Sequence, residues 1–178
     1  TLKAKPEGGT ESTTTTTGTV SVEHGTQVDF TAEPNEGYEV DSWMGAAANT
    51  PNTTATLSNV TGDTTVAVKF KKTVYTVTFS VAAGEGQLEG VGGGSINTAT
   101  GNTSETLTVP HGGSVTFTAT PATSGSWEVA GWTKNDAAVN GTNSTYTLSV
   151  TGTTTVTVTF YQSEIDGTAS MSWKALLS

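Results

Sequence analysis

The chain has 178 residues, of which 13% are charged, and 16 acidic residues against 7 basic ones give a formal net charge of -9 and a sequence pI near 4.4. Every basic residue is Lys, so the clustered cations that displace counterions from nucleic acid or attract an anionic bilayer are missing. No apolar run approaches the ~20 residues of a spanning helix, and a Cys count of 0 excludes disulfides and thiolate metal sites while leaving the compartment open.

Threonine makes up about a fifth of the residues, far above ordinary usage, and its β-branched polar side chain suits sheets with one wetted face. The opening residues read directly as strand, with no charged-then-apolar export segment, as expected of a piece excised from a larger polypeptide. The run TESTTTTTGTV (10 to 20) follows, with a mobile first part and a strand at its end. VEHGTQVDFTAEP (22 to 34) then supplies a turn and an alternating strand, GYEVDSW (37 to 43) another, and the alanines of MGAAANT a single helical turn. TLSNVTGDTTVAVKF (56 to 70) closes the series.

Beyond KFKK the chain begins again. Tyr75, Val77 and Phe79 alternate with Thr76 and Thr78; a glycine-rich loop (84 to 94) follows, then SETLTV, and Val115 and Phe117 alternate with Thr116 and Thr118. SWEVAGW (126 to 132) precedes a last strand in which Val156, Val158 and Phe160 alternate with Thr155, Thr157 and Thr159. One apolar face and one Thr face is the pattern of a half-covered antiparallel sheet.

The second half repeats the first. VEHGTQVDFTAEP recurs as VPHGGSVTFTATP (109 to 121), GYEVDSW, after a two-residue insertion, as GSWEVAGW (125 to 132), and TLSNVTGDTTVAVKF, with Asn59 deleted, as TLSVTGTTTVTVTF (147 to 160), in the same order. The expected organisation is a module at 1–72, a second at 73–162, and a tail or start of a further segment at 163–178 that contains Trp173. The junction at Lys71 to Thr73 is short, which predicts modules stacked end to end with limited hinge freedom, a rod-like arrangement.

The succession of a V-x-F-x-A-x-P strand, an aromatic-x-V strand ending on Trp, and T-L-S-x-V-T-G-x-T-T-V-x-V-x-F resembles the divergent internalin B B-repeat family, also called Listeria-Bacteroides repeats, over about residues 1 to 162. The resemblance implies an all-β, β-grasp-related fold with little or no helix. It also implies modules strung in tandem in secreted or cell-surface proteins of bacteria, serving as stalks or adhesion-associated spacers, with no catalytic motif to carry over. The long glycine loop, Trp127 in place of Tyr, and the Asp41-Ser42 pair depart from the simplest form of the pattern.

Four groups of residues are candidates for chemistry. His24 and His111 each sit in a turn that feeds a strand, and the repetition of this placement favours a surface structural role over metal binding or pH sensing. Glu33, Glu36, Glu39 and Asp41 form the densest acidic segment, a weak calcium candidate that the second copy does not repeat. Lys3, Lys5 and Lys69 lie in strands, where a crosslink to an Asn or Asp side chain would need a buried acid beside it. Trp127 and Trp132 stand five apart, so regular alternation sends them to opposite faces. Trp127 and its counterpart Tyr38 then read as core. Trp43 and Trp132 are core only if a bulge at Ser42 and Gly131 breaks the alternation; otherwise they form an outward ligand platform.

The expectation is therefore a non-catalytic spacer of a bacterial extracellular protein, monomeric, with no cofactor, no nucleic-acid partner and no membrane insertion. The alternative is a module that binds a host or cell-wall glycan or protein through Trp43 and Trp132.

Overall fold

The computed structural model describes residues 1–101 and 103–163; the expected tail, apart from Ser163, lies outside the described residues. The described chain divides into two compact units: Thr1–Tyr75 together with the turn Pro110–Gly113, and Thr76–Val109 together with the described residues from Ser114. Among the described residues there is no helix. MGAAANT forms a bend and a short strand, because its alanines pair with the neighbouring Thr-rich strand.

The first unit contains β1 (Leu2–Pro6), β2 (Ser12–Thr14), β3 (Val28–Ala32), β4 (Tyr38–Met44), β5 (Ala47–Ala48), β6 (Thr54–Leu57) and β7 (Ala67–Lys72). An antiparallel sheet runs β2-β1-β3-β6-β5, and β4 and β7 form a separate antiparallel pair. The core gathers around Val28, Phe30 and Ala55, which alternation places on one face of β3 and β6. Leu2, Ala4, Val22, Trp43, Leu57 and Val66 pack around them and stay half-buried. In TESTTTTTGTV the strand lies at Ser12–Thr14 and residues 18 to 23 form none, the reverse of the expected order.

The second unit contains β8 (Val74–Ala83), β9 (Gly86–Gly92), β10 (Ser95–Thr100), β11 (Ser104–Pro110), β12 (Ser114–Pro121), β13 (Trp127–Lys134), β14 (Ala137–Val139), β15 (Thr145–Ser149) and β16 (Thr154–Gln162). These make two sheets, β10-β9-β12-β15 and β11-β8-β16-β13-β14. Their inner faces meet in a sandwich core, where Phe79 of one sheet lies edge-on to Phe117 of the other at 5.3 Å between ring centroids. The turns follow from local chemistry. Gly93 and Gly94 both have positive φ between β9 and β10, and Asn135 and Asp136 do so between β13 and β14, giving two-residue hairpin turns whose twist matches the strands.

Among the described residues one pair of strands runs parallel. β8 and β16, the first and last strands of the unit, lie side by side and parallel, with Thr154 beside Val77 and Val158 beside Val81. The other pairings whose register is described are antiparallel, as expected. Val77, Phe79, Val81, Val156, Val158 and Phe160 all lie at 5% exposure or less, and a parallel pair at the centre of the sheet is what buries both rows together.

Candidate functional site

Aromatic-x-V strands lead into Trp in both units, and both strands carry the irregularity that decides where the indole goes. In β13, Val129 pairs with Phe160 and Gly131 with Thr159, so Ala130 is an extra residue; in β4, Val40 pairs with Phe70 and Ser42 with Lys69, leaving Asp41 extra. The added residue restores Trp132 to the face of Val129, and Trp43 to the face of Val40. Trp132 is consequently 2% exposed, its Nε1–H donates to the Asn143 carbonyl at 2.7 Å, and its ring tilts against Tyr146. Trp43 repeats the hydrogen bond, donating to the Asn52 carbonyl at 2.8 Å, but it is only half-buried, and Ala55 takes the place of Tyr146.

The outward platform therefore has no indole face to offer at Trp132. The depression beside the bulge is open and is lined by Ala130, Gly131, Trp132, Ala138, Val139, Asn140 and Gly141, so Trp132 contributes to its wall although the residue is only 2% exposed. Trp127 is half-buried and Tyr38 is 43% exposed, so these positions lie at the rim of the core rather than inside it, each being the first residue of its strand.

The acidic segment is spread over lysines. Glu33 pairs with Lys3, Glu39 with Lys71 at 3.3 Å, and Asp41 with Lys69 at 3.3 Å and Lys71 at 3.8 Å, while Glu36 is exposed. The hydrogen bond from Lys3 to Glu33, reinforced by the carboxylate's charge, raises the Lys3 pKa above its ordinary value. Among the described residues no group of three or more His, Asp and Glu side chains converges on a point where a metal ion could sit. Lys69 is 75% exposed, in contact with water rather than with a buried acid, which is the wrong setting for an amide crosslink.

The histidines differ. His24 is an exposed turn residue. His111 is not at the surface as expected: it is half-buried within the first unit, its backbone N–H donates to the Thr73 carbonyl at 2.8 Å, its ring faces Tyr75 at 6.0 Å, and its Nδ1 is buried without a hydrogen-bond partner. Gly37, at φ +75°, makes room for the imidazole, since a Cβ there would collide with the ring. The one residue in the sequence that bears on this is Gly37, five residues after the end of β3.

Another contact escaped sequence reasoning. The Tyr161 hydroxyl donates to Glu128 at 2.6 Å across β13 and β16, and that bond together with the carboxylate's charge raises the phenol above its ordinary value of 10.0. Both residues belong to outward rows, and their adjacency depends on the bulge register.

The geometry defines a class: tandem all-β repeat modules in which a bulge turns the repeated strand Trp toward the core. The model of the divergent InlB B-repeat domain matches residues 1–74 and again residues 75–164, and the chain belongs to that family. No curated protein and no solved structure matches the chain.

Proposed function

We propose that the chain is a non-catalytic, load-bearing spacer in an extracellular protein of the bacterial surface. Membership of the B-repeat family supports a surface-repeat role. The observation that carries the mechanical reading is the parallel pairing of β8 with β16. Tension along the polypeptide enters the second unit at the start of β8 and leaves at the end of β16. In parallel neighbours these two ends are pulled in opposite senses along the strand axes, so the hydrogen bonds from Thr154 to Thr159 are loaded together in shear. Antiparallel neighbours pulled at a shared end open one bond at a time. Resistance to force is an unfolding rate, and shear raises the barrier that sets it.

The negative charge keeps such repeats soluble at high local density. The bulges complete the design by directing the two strand Trp side chains into the cores.

Single-molecule extension tests this reading. With handles at Thr76 and Gln162 the second unit extends in one step of roughly 250–300 Å, at a force well above that needed with handles at Lys134 and Thr155, which lie at a shared end of the antiparallel pair β13 and β16. Equal forces in the two geometries would refute the load-bearing role.

A further inference from the structure

Register equates the strands of the two units. Leu2 faces Ala32 as Leu88 faces Ala119, so β1 and β2 correspond to β9 and β10, β3 to β12, β4 to β13, and β6 and β7 to β15 and β16; β5 follows β4 as β14 follows β13 but pairs with β6 instead. β8 has no counterpart among residues 1–72. In the second unit it fills the place between β11 and β16. In the first unit, among the described residues, β7 pairs with β4 alone, and residues 18 to 23, which align with β11, form no strand.

The side chains on both sides of that place keep the pattern of a filled one. Val66, Val68 and Phe70 repeat Val156, Val158 and Phe160, and Val20 and Val22 repeat Leu107 and Val109. The second-unit residues are all at 3% exposure or less, whereas their five counterparts are all half-buried. The lysines of β7 do not occupy the place, because Lys69 and Lys71 turn to the outer face and pair with Glu39 and Asp41.

One pair of positions beside that place also compensates. A Cβ on Gly90 would lie 2.9 Å from the Phe79 ring and 3.2 Å from Leu107 Cδ1. The first unit has Ala4 at the Gly90 position and Val20 at the Leu107 position, so carbon is added on one side and removed on the other. This is the compensation expected of a core that packs against a strand of the same kind.

We infer that the open edge of β7 and the half-buried stripe of Val20, Val22, Val66, Val68 and Phe70 form a strand-accepting groove. Its occupant is an extended segment of alternating Val or Phe and Thr, lying parallel to β7 and donated by polypeptide covalently continuous with Thr1 on its amino side. The tether decides the source. β8 reaches β9 through Gly84 and Glu85 alone, and β9 is the counterpart of β1, so a donor joined to Thr1 by a link of that length is delivered to the groove at a high effective concentration. Main-chain hydrogen bonds to the β7 edge supply affinity, and the alternate apolar side chains select the register. The inference stands independently of the load-bearing role, since it concerns the completeness of the first core.

The experiment fuses TVYTVTFSVAAGEG, the sequence of residues 73 to 86, directly ahead of Thr1 in the full chain. A control fusion carries Asp at the positions copied from Val77, Phe79 and Val81. Amide exchange is followed at Val20, Val22, Val68 and Phe70. The apolar donor slows exchange at these amides by tenfold or more and the acidic donor leaves them unchanged. Equal protection with both donors, or with neither, overturns the inference. The same peptide is also added unlinked; if at equimolar concentration it protects these amides as well as the fusion does, donation from a separate chain replaces the tethered source and the assignment fails.

Discussion

Replacing Trp132 and Trp43 by Ala tests the bulge reasoning through the difference between two equivalent positions. An aromatic side chain in a protein core buries about 150–250 Å², which at about 25 cal/mol per Å² amounts to about 4–6 kcal/mol for the nearly enclosed Trp132. Large-to-small replacement of a core Trp costs about 3–5 kcal/mol in practice, so Trp132→Ala is expected to remove about 4 kcal/mol from the second unit. Trp43 is half-buried and lacks the Tyr146 contact, and its loss should cost about half as much, about 2 kcal/mol. Both indoles donate to a backbone carbonyl, and because the Trp43 bond is the more exposed of the two its loss costs less, in the same direction as the difference in burial. Urea unfolding read from amide resonances of each unit gives the two losses separately. Trp132→Phe provides a milder variant that keeps a ring and leaves the Asn143 carbonyl to water, at a cost of about 1–2 kcal/mol. Equal losses at Trp132 and Trp43, or a larger loss at Trp43, would refute the assignment of Trp132 to the core by the bulge.

Three further outcomes are expected. Deleting Ala130 removes the extra residue, sends Trp132 outward and should lower the urea midpoint of the second unit by about as much as Trp132→Ala; an unchanged midpoint contradicts the register. Gly37→Ala forces a Cβ into the His111 ring at a positive φ and should cost the first unit about 1–3 kcal/mol, visible as lost protection of the His111 amide; retained protection argues against the contact. The hydrogen bond from Tyr161 to Glu128 exists only while the phenol is protonated, so its contribution is complete below the ordinary tyrosine value of 10.0 and disappears as pH rises through the raised one. Glu128→Gln should therefore bring Tyr161 ionisation to lower pH in an ultraviolet titration, and an unmoved titration curve would show that Glu128 is not the cause.

How much of this was legible in the residues varies with the range of the interaction responsible. The two copies, the alternating strands and the all-β class follow from local periodicity and repeated spacing, which act within a few residues. In the same way, the small residue before each Trp marked the place where alternation could break. The bulge itself was decided elsewhere, by the pairing of β13 with β16 and of β4 with β7, because a strand shows an extra residue only against a partner that lacks it. His111 looked like a repeated turn residue, and only packing distinguishes it from the exposed His24.

By itself the sequence determined the repeat, the all-β class and the acidic, Thr-rich composition, since composition and period two need no tertiary partner to be read; it missed β2, β5 and β9, the last of which lies within the expected glycine-rich loop. The tertiary structure decided what depends on neighbours distant in the chain: that Trp132 faces inward, that β8 and β16 run parallel at the centre of their sheet, and that among the described residues β7 pairs with β4 alone where β16 has a strand on both sides. The last follows from pairing register, which aligns the units strand by strand and leaves β8 without a counterpart in the first.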